Sequence, residues 1–98
     1  MDVTKKQTGA ELFVEVKGSI DSVTAPELNK ILNESLNGIS SLIFDFANVD
    51  YISSAGLRVL LAARKAIAKD GNVVVRNSNQ NIMDIFTMTG FDNILTIE

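Results

Sequence analysis

The sequence predicts an α/β domain with a mixed, mostly parallel β-sheet and helices packed on it, in the order β-β-α-β-α-β-α-β. Three observations carry this reading. Leu12, Val14 and Val16 alternate with Glu11, Phe13, Glu15 and Lys17, the period of two that marks a strand with one apolar face. From residue 41 onward, short apolar runs alternate with segments of helical spacing, and right-handed crossovers then place the strands parallel in one sheet. The 98 residues fit one domain, 1–98, and leave no room for a second.

The elements follow in order. Val3 and Thr4 suit a first strand, and Gly9-Ala10 marks the turn of a hairpin into the strand at 11–17. Gly18 to Asp21 reads as a loop. Thr24-Ala25-Pro26-Glu27 opens a helix: Thr24 can cap, Pro26 lies in the first turn where its missing N–H costs little, and Glu27 follows three residues after the cap. Leu28, Ile31, Leu32 and Leu36 continue the helical spacing until Asn37-Gly38. Leu42 to Phe46 reads as a central strand, and Ala47 to Ser53 as a second loop.

A second helix is expected from about Ser54 to Lys69. Its apolar stripe is Leu57, Leu60, Leu61, Ile67 and Ala68, with Arg58, Lys65 and Lys69 on another side and Gly71 as a left-handed cap. Val73-Val74-Val75 is the next strand. Ser78 or Asn79 caps a third helix carrying Ile82, Ile85 and Phe86 and stopped by Gly90, and Ile94, Leu95 and Ile97 make a last short strand. Met83 and Met88 are expected to fill core gaps, and Tyr51 and Ile52 to pack.

Composition narrows the function. Hydrophobic residues make up 46% and charged residues 21%, as in ordinary globular proteins. The net charge of -3, with scattered cations, speaks against nucleic acid as a partner. The cations at Arg58, Arg64, Lys65 and Lys69 are explained by a solvated helix face. The chain has no cysteine and no histidine. It therefore lacks disulfides, thiol chemistry, a Ser-His-Asp triad and the usual zinc ligands. Asp70-Gly71 is a turn and not a calcium loop, since no series of oxygen ligands accompanies it. No cofactor or metal is expected, no enzymatic activity and no membrane-spanning segment. The expected location is the cytoplasm.

The stretch Val49 to Arg58 is the one that carries chemistry. It lies where a buried strand feeds a helix, and helix N-termini expose unbonded N–H groups and a positive dipole end. Ser54 can cap this helix. A phosphate on its hydroxyl would be stabilised there, adding about -1.5 to -2 charges at neutral pH while leaving the fold intact. Ser53 reads as a loop or capping residue. Asp21 can bond its own loop or face a partner, and Asp50 has the same two readings.

At these residues the chain resembles the STAS domain family. Tyr51-Ile52-Ser53-Ser54-Ala55-Gly56-Leu57 looks like the family's signature. Gly18-Ser19-Ile20-Asp21 with Thr24-Ala25 and Leu28 looks like its first loop and helix, and Phe86 to Phe91 with Ile94-Leu95 like its last helix and strand. Two positions depart from the sporulation- and stress-type pattern: Ser53 stands where Asp is usual, and Arg58 where a small residue is usual. Arg58 follows Ser54 by four residues, so on a helix it comes within reach of a phosphate there.

The resemblance implies an anti-sigma factor antagonist, a non-enzymatic phosphoprotein of transcription regulation that works by partner switching. Its unphosphorylated form binds an anti-sigma factor that is also a serine kinase, so releasing a sigma factor. Phosphorylation of Ser54 switches it off, and a metal-dependent serine phosphatase restores it. The partner-binding surface so implied comprises Asp21, Ser22, Ser53, Ser54, Ala55, Gly56 and Arg58. A monomer is expected, with no nucleic acid and no membrane insertion. The alternative is a STAS-domain regulatory or structural subunit of a membrane transport assembly. A small α/β enzyme is disfavoured by the missing His and Cys and by the lack of a phosphate loop.

Overall fold

The opening hairpin is present. In the computed structural model, which describes residues 1–98, strand β1 (Asp2–Thr8) pairs antiparallel with β2 (Glu11–Ile20), from Asp2 opposite Lys17 to Thr8 opposite Glu11. Helix α1 (Ala25–Ser35), strand β3 (Ser41–Ile52), helix α2 (Ser54–Ala66), strand β4 (Asn72–Arg76) and helix α3 (Gln80–Thr89) follow. A 3-10 turn at Phe91–Asn93 leads into β5 (Thr96–Ile97). The strands lie in one sheet in chain order, with β2, β3, β4 and β5 parallel. The expected order of elements and the mixed sheet are both found.

All three helices pack on one face of this sheet. The core joins Leu12, Val14 and Val16 of β2, Leu42, Phe44 and Phe46 of β3 and Val73 and Val75 of β4 to apolar residues of each helix. Phe44, Leu28, Leu60, Ile82 and Phe86 are each wholly buried. Every such side chain contributes about 1.5–3 kcal/mol relative to exposure. The other face carries one apolar row, Phe13, Ile43 and Val74 in register across β2, β3 and β4. Ile43 and Val74 are buried but outside the main core.

β2 and β3 are longer than their apolar runs suggest. Gly18 to Ile20 continues β2, and Ala47 to Ile52 continues β3, where loops were expected. The register between the two shifts twice, so that β3 takes up an extra residue between Asp45 and Asn48 and another between Val49 and Tyr51. These bulges change the spacing of buried residues along β3 from two (Leu42, Phe44, Phe46) to three (Val49, Ile52). The strand ends as a continuous extension of the sheet beyond the last regular pair.

Several local readings need correction. α2 ends at Ala66, not Lys69, because Ile67 turns to extended geometry and the Arg64 guanidinium donates to the carbonyls of Ala68 and Lys69. Gly71 is not left-handed. Glycine is needed there for closeness instead, since a Cβ would collide with the Ser40 carbonyl and approach Ile67 Cγ2 at 2.6 Å. Leu61 is half-buried and Ala68 exposed; Val59 and Ala63 take their place in the core stripe. β5 begins only at Thr96, and Ile94 before it is exposed. Met83 and Met88 lie on the surface and fill no core gap. Tyr51 is also exposed, while Ile52 packs as expected.

Candidate functional site

The C-terminal ends of β2 and β3 bring two chain segments together. The Ser53 N–H donates to the Ile20 carbonyl at 2.8 Å, joining the start of α2 to the loop that precedes α1. Gly56 completes the junction. A Cβ at Gly56 would lie 2.6 Å from Ile52 Cγ1, 2.8 Å from Ile20 Cγ2 and 3.2 Å from the Ile20 carbonyl, so only glycine lets the first turn of α2 sit on the strand ends. Gly56 is therefore buried, and it shapes the site without presenting a surface to a partner.

The two serines divide the roles that one serine was expected to share. Ser53 has extended geometry and is the N-cap, its Oγ accepting from the Gly56 N–H at 3.4 Å. Ser54 is the first helical residue and is exposed, and its Oγ is engaged in no hydrogen bond. The cap thus does not depend on Ser54, and its hydroxyl is available for chemistry. α2 has no acidic residue in its first turn, so nothing there opposes the positive end of the helix dipole.

The neighbouring loop is built around Asp21. Its Oδ1 accepts from the N–H groups of Val23 and Thr24 at 2.9 and 3.0 Å, and its carbonyl accepts from the Ala25 N–H at 2.8 Å. The Thr24 N–H first, and then the Val23 N–H, hold the Asp21 carboxyl below its ordinary pKa. Thr24, expected to cap α1, makes no side-chain cap bond. Its hydroxyl instead accepts from the Asp21 N–H and donates to the Ser19 carbonyl at 2.8 Å, so Asp21 holds the turn that leads into α1 and Thr24 braces it. The braced loop leaves Ser22 and Val23 exposed, Val23 to 82%, on the same rim as Ser54.

A groove with a volume of about 340 Å³ runs between α1 and α2. Ser22, Pro26 and Asn29 line one side, and Ala55, Arg58 and Val59 the other. Of the expected site residues, Asp21, Ser22, Ser53, Ser54, Ala55 and Arg58 come together around this rim. Asp50 is exposed on β3, and its carbonyl accepts from Asn79 Nδ2 at 3.4 Å. Sequence reasoning missed that contact and the clamp it belongs to. Asn79 caps α3 by accepting from the Ile82 N–H at 2.9 Å and also donates to the Val49 carbonyl at 3.3 Å. Its capping role was legible; its reach to β3 was not, because it spans 30 residues.

Together, a bulged strand feeding a glycine-seated helix, with an exposed serine at its head beside a braced loop, define a small α/β module. The STAS domain family matches residues 2–98, and the chain belongs to it. Among similar proteins is the anti-sigma-B factor antagonist of Bacillus subtilis, 28% identical over 99% of this chain and 90% of that protein. The crystal structure of an anti-sigma factor antagonist from Mycobacterium paratuberculosis superposes with a TM-score of 0.88 at 24% identity, covering 98% of this chain and 83% of that one. SpoIIAA, a Bacillus cell fate determinant solved in its phosphorylated form, superposes with a TM-score of 0.77 at 13% identity, covering 99% and 91% of the two chains. No helix of the chain is long and apolar enough to cross a membrane.

Proposed function

We propose that this chain is an anti-sigma factor antagonist, a binding protein without catalytic activity of its own, that docks through the rim around Ser54 and is switched by phosphorylation there. One observation carries the reading: Ser54 is exposed at the head of α2 while Ser53 does the capping, so its hydroxyl can be modified without removing a structural bond. The partner is an anti-sigma factor that is also a serine kinase, and the setting is the cytoplasm. ATP bound to that kinase supplies the phosphoryl group. Ser54 Oγ attacks the γ-phosphorus, the bond to the ADP oxygen breaks, and the hydroxyl proton passes to a base of the kinase. A serine phosphatase hydrolyses the ester and restores the docking form, and the antagonist acts as a monomer.

The energetics are adequate. A dianion placed under a docked surface displaces polar contacts and leaves charge uncompensated, and the loss of about 3–4 kcal/mol weakens binding several hundredfold. The test is incubation with candidate kinases and ATP, followed by intact-mass and peptide mass spectrometry. One phosphate on Ser54 supports the reading. Phosphate on another residue, with Ser54 unmodified, contradicts it.

A further inference from the structure

The charge of the chain is unevenly distributed. Residues 54–69 hold four cations, Arg58, Arg64, Lys65 and Lys69, and no acid, a local net charge of +4. The remaining residues hold five cations and all twelve acids, a net charge of -7. Within the cationic segment the four do not serve alike. Arg64 is occupied with the carbonyls that follow α2. Lys65 and Lys69 lie near or beyond the far end of the helix, about three turns or more from Ser54. Arg58 alone lines the groove between α1 and α2.

Arg58 is exposed and engaged by no carboxylate; the ion pairs of the structure are Lys17 with Glu15 and Arg76 with Glu98. No acidic residue lines the groove, whose other walls include the apolar Ala25, Pro26, Ala55 and Val59. Asp21, at its edge in sequence, has Oδ1 committed to its own loop. The groove is thus a half-apolar trough with one uncompensated guanidinium. Arg58 also stands four residues after Ser54 on the same helix. Residues so spaced share a face, so Arg58 stands on the side of α2 that carries Ser54, one turn further along.

We infer that the groove seats an acidic side chain of the docking protein, that Arg58 is its counter-charge, and that a phosphate on Ser54 turns the switch by claiming Arg58 for itself. This rests on the reading of Ser54 as the phosphorylated docking residue and adds how the phosphate acts. Pairing with a phosphate dianion four residues away removes the cation from the trough, and the planar guanidinium suits both carboxylate and phosphate. The partner surface is therefore acidic at the point that meets the groove, and docking weakens as salt rises.

The experiment is a cycle of affinities for the kinase that modifies Ser54, with wild type, Arg58→Ala and Arg58→Lys, each unphosphorylated and carrying phosphoserine at position 54. Arg58→Ala is expected to weaken docking of the unphosphorylated protein at least tenfold and to flatten its salt dependence. Arg58→Lys restores part of the loss. Phosphorylation then costs at least tenfold less affinity in Arg58→Ala than in wild type, and phosphorus NMR shows the phosphoserine titrating at higher pH in Arg58→Ala. Equal affinity of Arg58→Ala and wild type, or strictly additive effects of the substitution and the phosphate, overturns the inference and leaves the Ser54 switch standing. No effect of phosphate on wild-type affinity overturns the switch itself. Arg58-dependent binding to duplex DNA or to anionic vesicles, without an effect on the kinase, assigns the cation to another partner and also overturns the inference.

Discussion

The backbone N–H of Ser53 donates to the carbonyl of Ile20 at 2.8 Å, and through that bond two segments far apart in sequence form one rim. On one side lies the loop braced by Asp21 and Thr24; on the other, the head of α2 with its exposed Ser54. The bond falls at the last parallel pair of β2 and β3, Ile20 beside Ile52, so the sheet itself sets the position of the rim. A rim held by backbone bonds in this way does not depend on the Ser54 hydroxyl for its shape.

Separation of fold from function at Ser54 leads to a first prediction. Ser54→Ala retains kinase docking and accepts no phosphate. Ser54→Asp loses docking, yet both variants keep the wild-type circular dichroism spectrum and unfold within about 0.5 kcal/mol of wild type, as surface substitutions usually do. Urea titrations alongside binding measurements check this pair of outcomes.

Gly56 behaves in the opposite way. Gly56→Ala places a methyl group against Ile52 and Ile20 in a packed junction, and overpacking of this kind costs about 1–3 kcal/mol. Stability measured by urea unfolding should fall by that amount. If Gly56→Ala is as stable as wild type, the close seat of α2 on the strand ends is not as described.

Asp21 gives the chain an acid-side dependence. Its folded pKa lies below the ordinary carboxylate value, chiefly because the Thr24 and then the Val23 N–H bond the ionised form. The stabilisation is therefore fully present above the unfolded pKa and is lost as pH falls through the folded one. Asp21→Asn should melt below wild type at neutral pH, and the difference should shrink steadily on acidification through the carboxylate range. A difference independent of pH would show that the charge of Asp21 does not matter.

Asn79 supplies a cap and a tie at once. Asn79→Ala removes the bond to the Ile82 N–H and those to the Val49 and Asp50 carbonyls. Loss of such a cap costs about 0.5–2 kcal/mol. Hydrogen exchange should quicken at the first turn of α3, while the amides of α2 keep their protection.

Much of this architecture was legible in the chain, because hydrophobic period and helix punctuation agree wherever the elements are regular. Leu12, Val14 and Val16 announce β2, and Asn79 and Gly90 bracket α3, where Gly90 adopts the left-handed geometry that ends the helix. The end of β3 was not legible. Its two bulges break the alternation between Phe46 and Ile52, so extended chain reads as loop. Asp21 bonds its own loop, one of the two readings open to it, while Thr24 makes no cap bond because its hydroxyl is taken by the Asp21 N–H and the Ser19 carbonyl, which only the backbone path of residues 19–24 brings to it. At the site, the signature placed Ser54 correctly at the head of α2. The burial of Gly56 and the groove holding Arg58 depend on β2 and α1, which no local motif encodes.

The central claim is tested most directly by calorimetric titration of the phosphorylating anti-sigma factor with two forms of this protein, one unmodified and one carrying phosphoserine at position 54. The phosphorylated form is expected to bind several hundredfold more weakly, a loss of about 3–4 kcal/mol, with the melting behaviour of the two forms unchanged. Equal affinities for the two forms would contradict the claim.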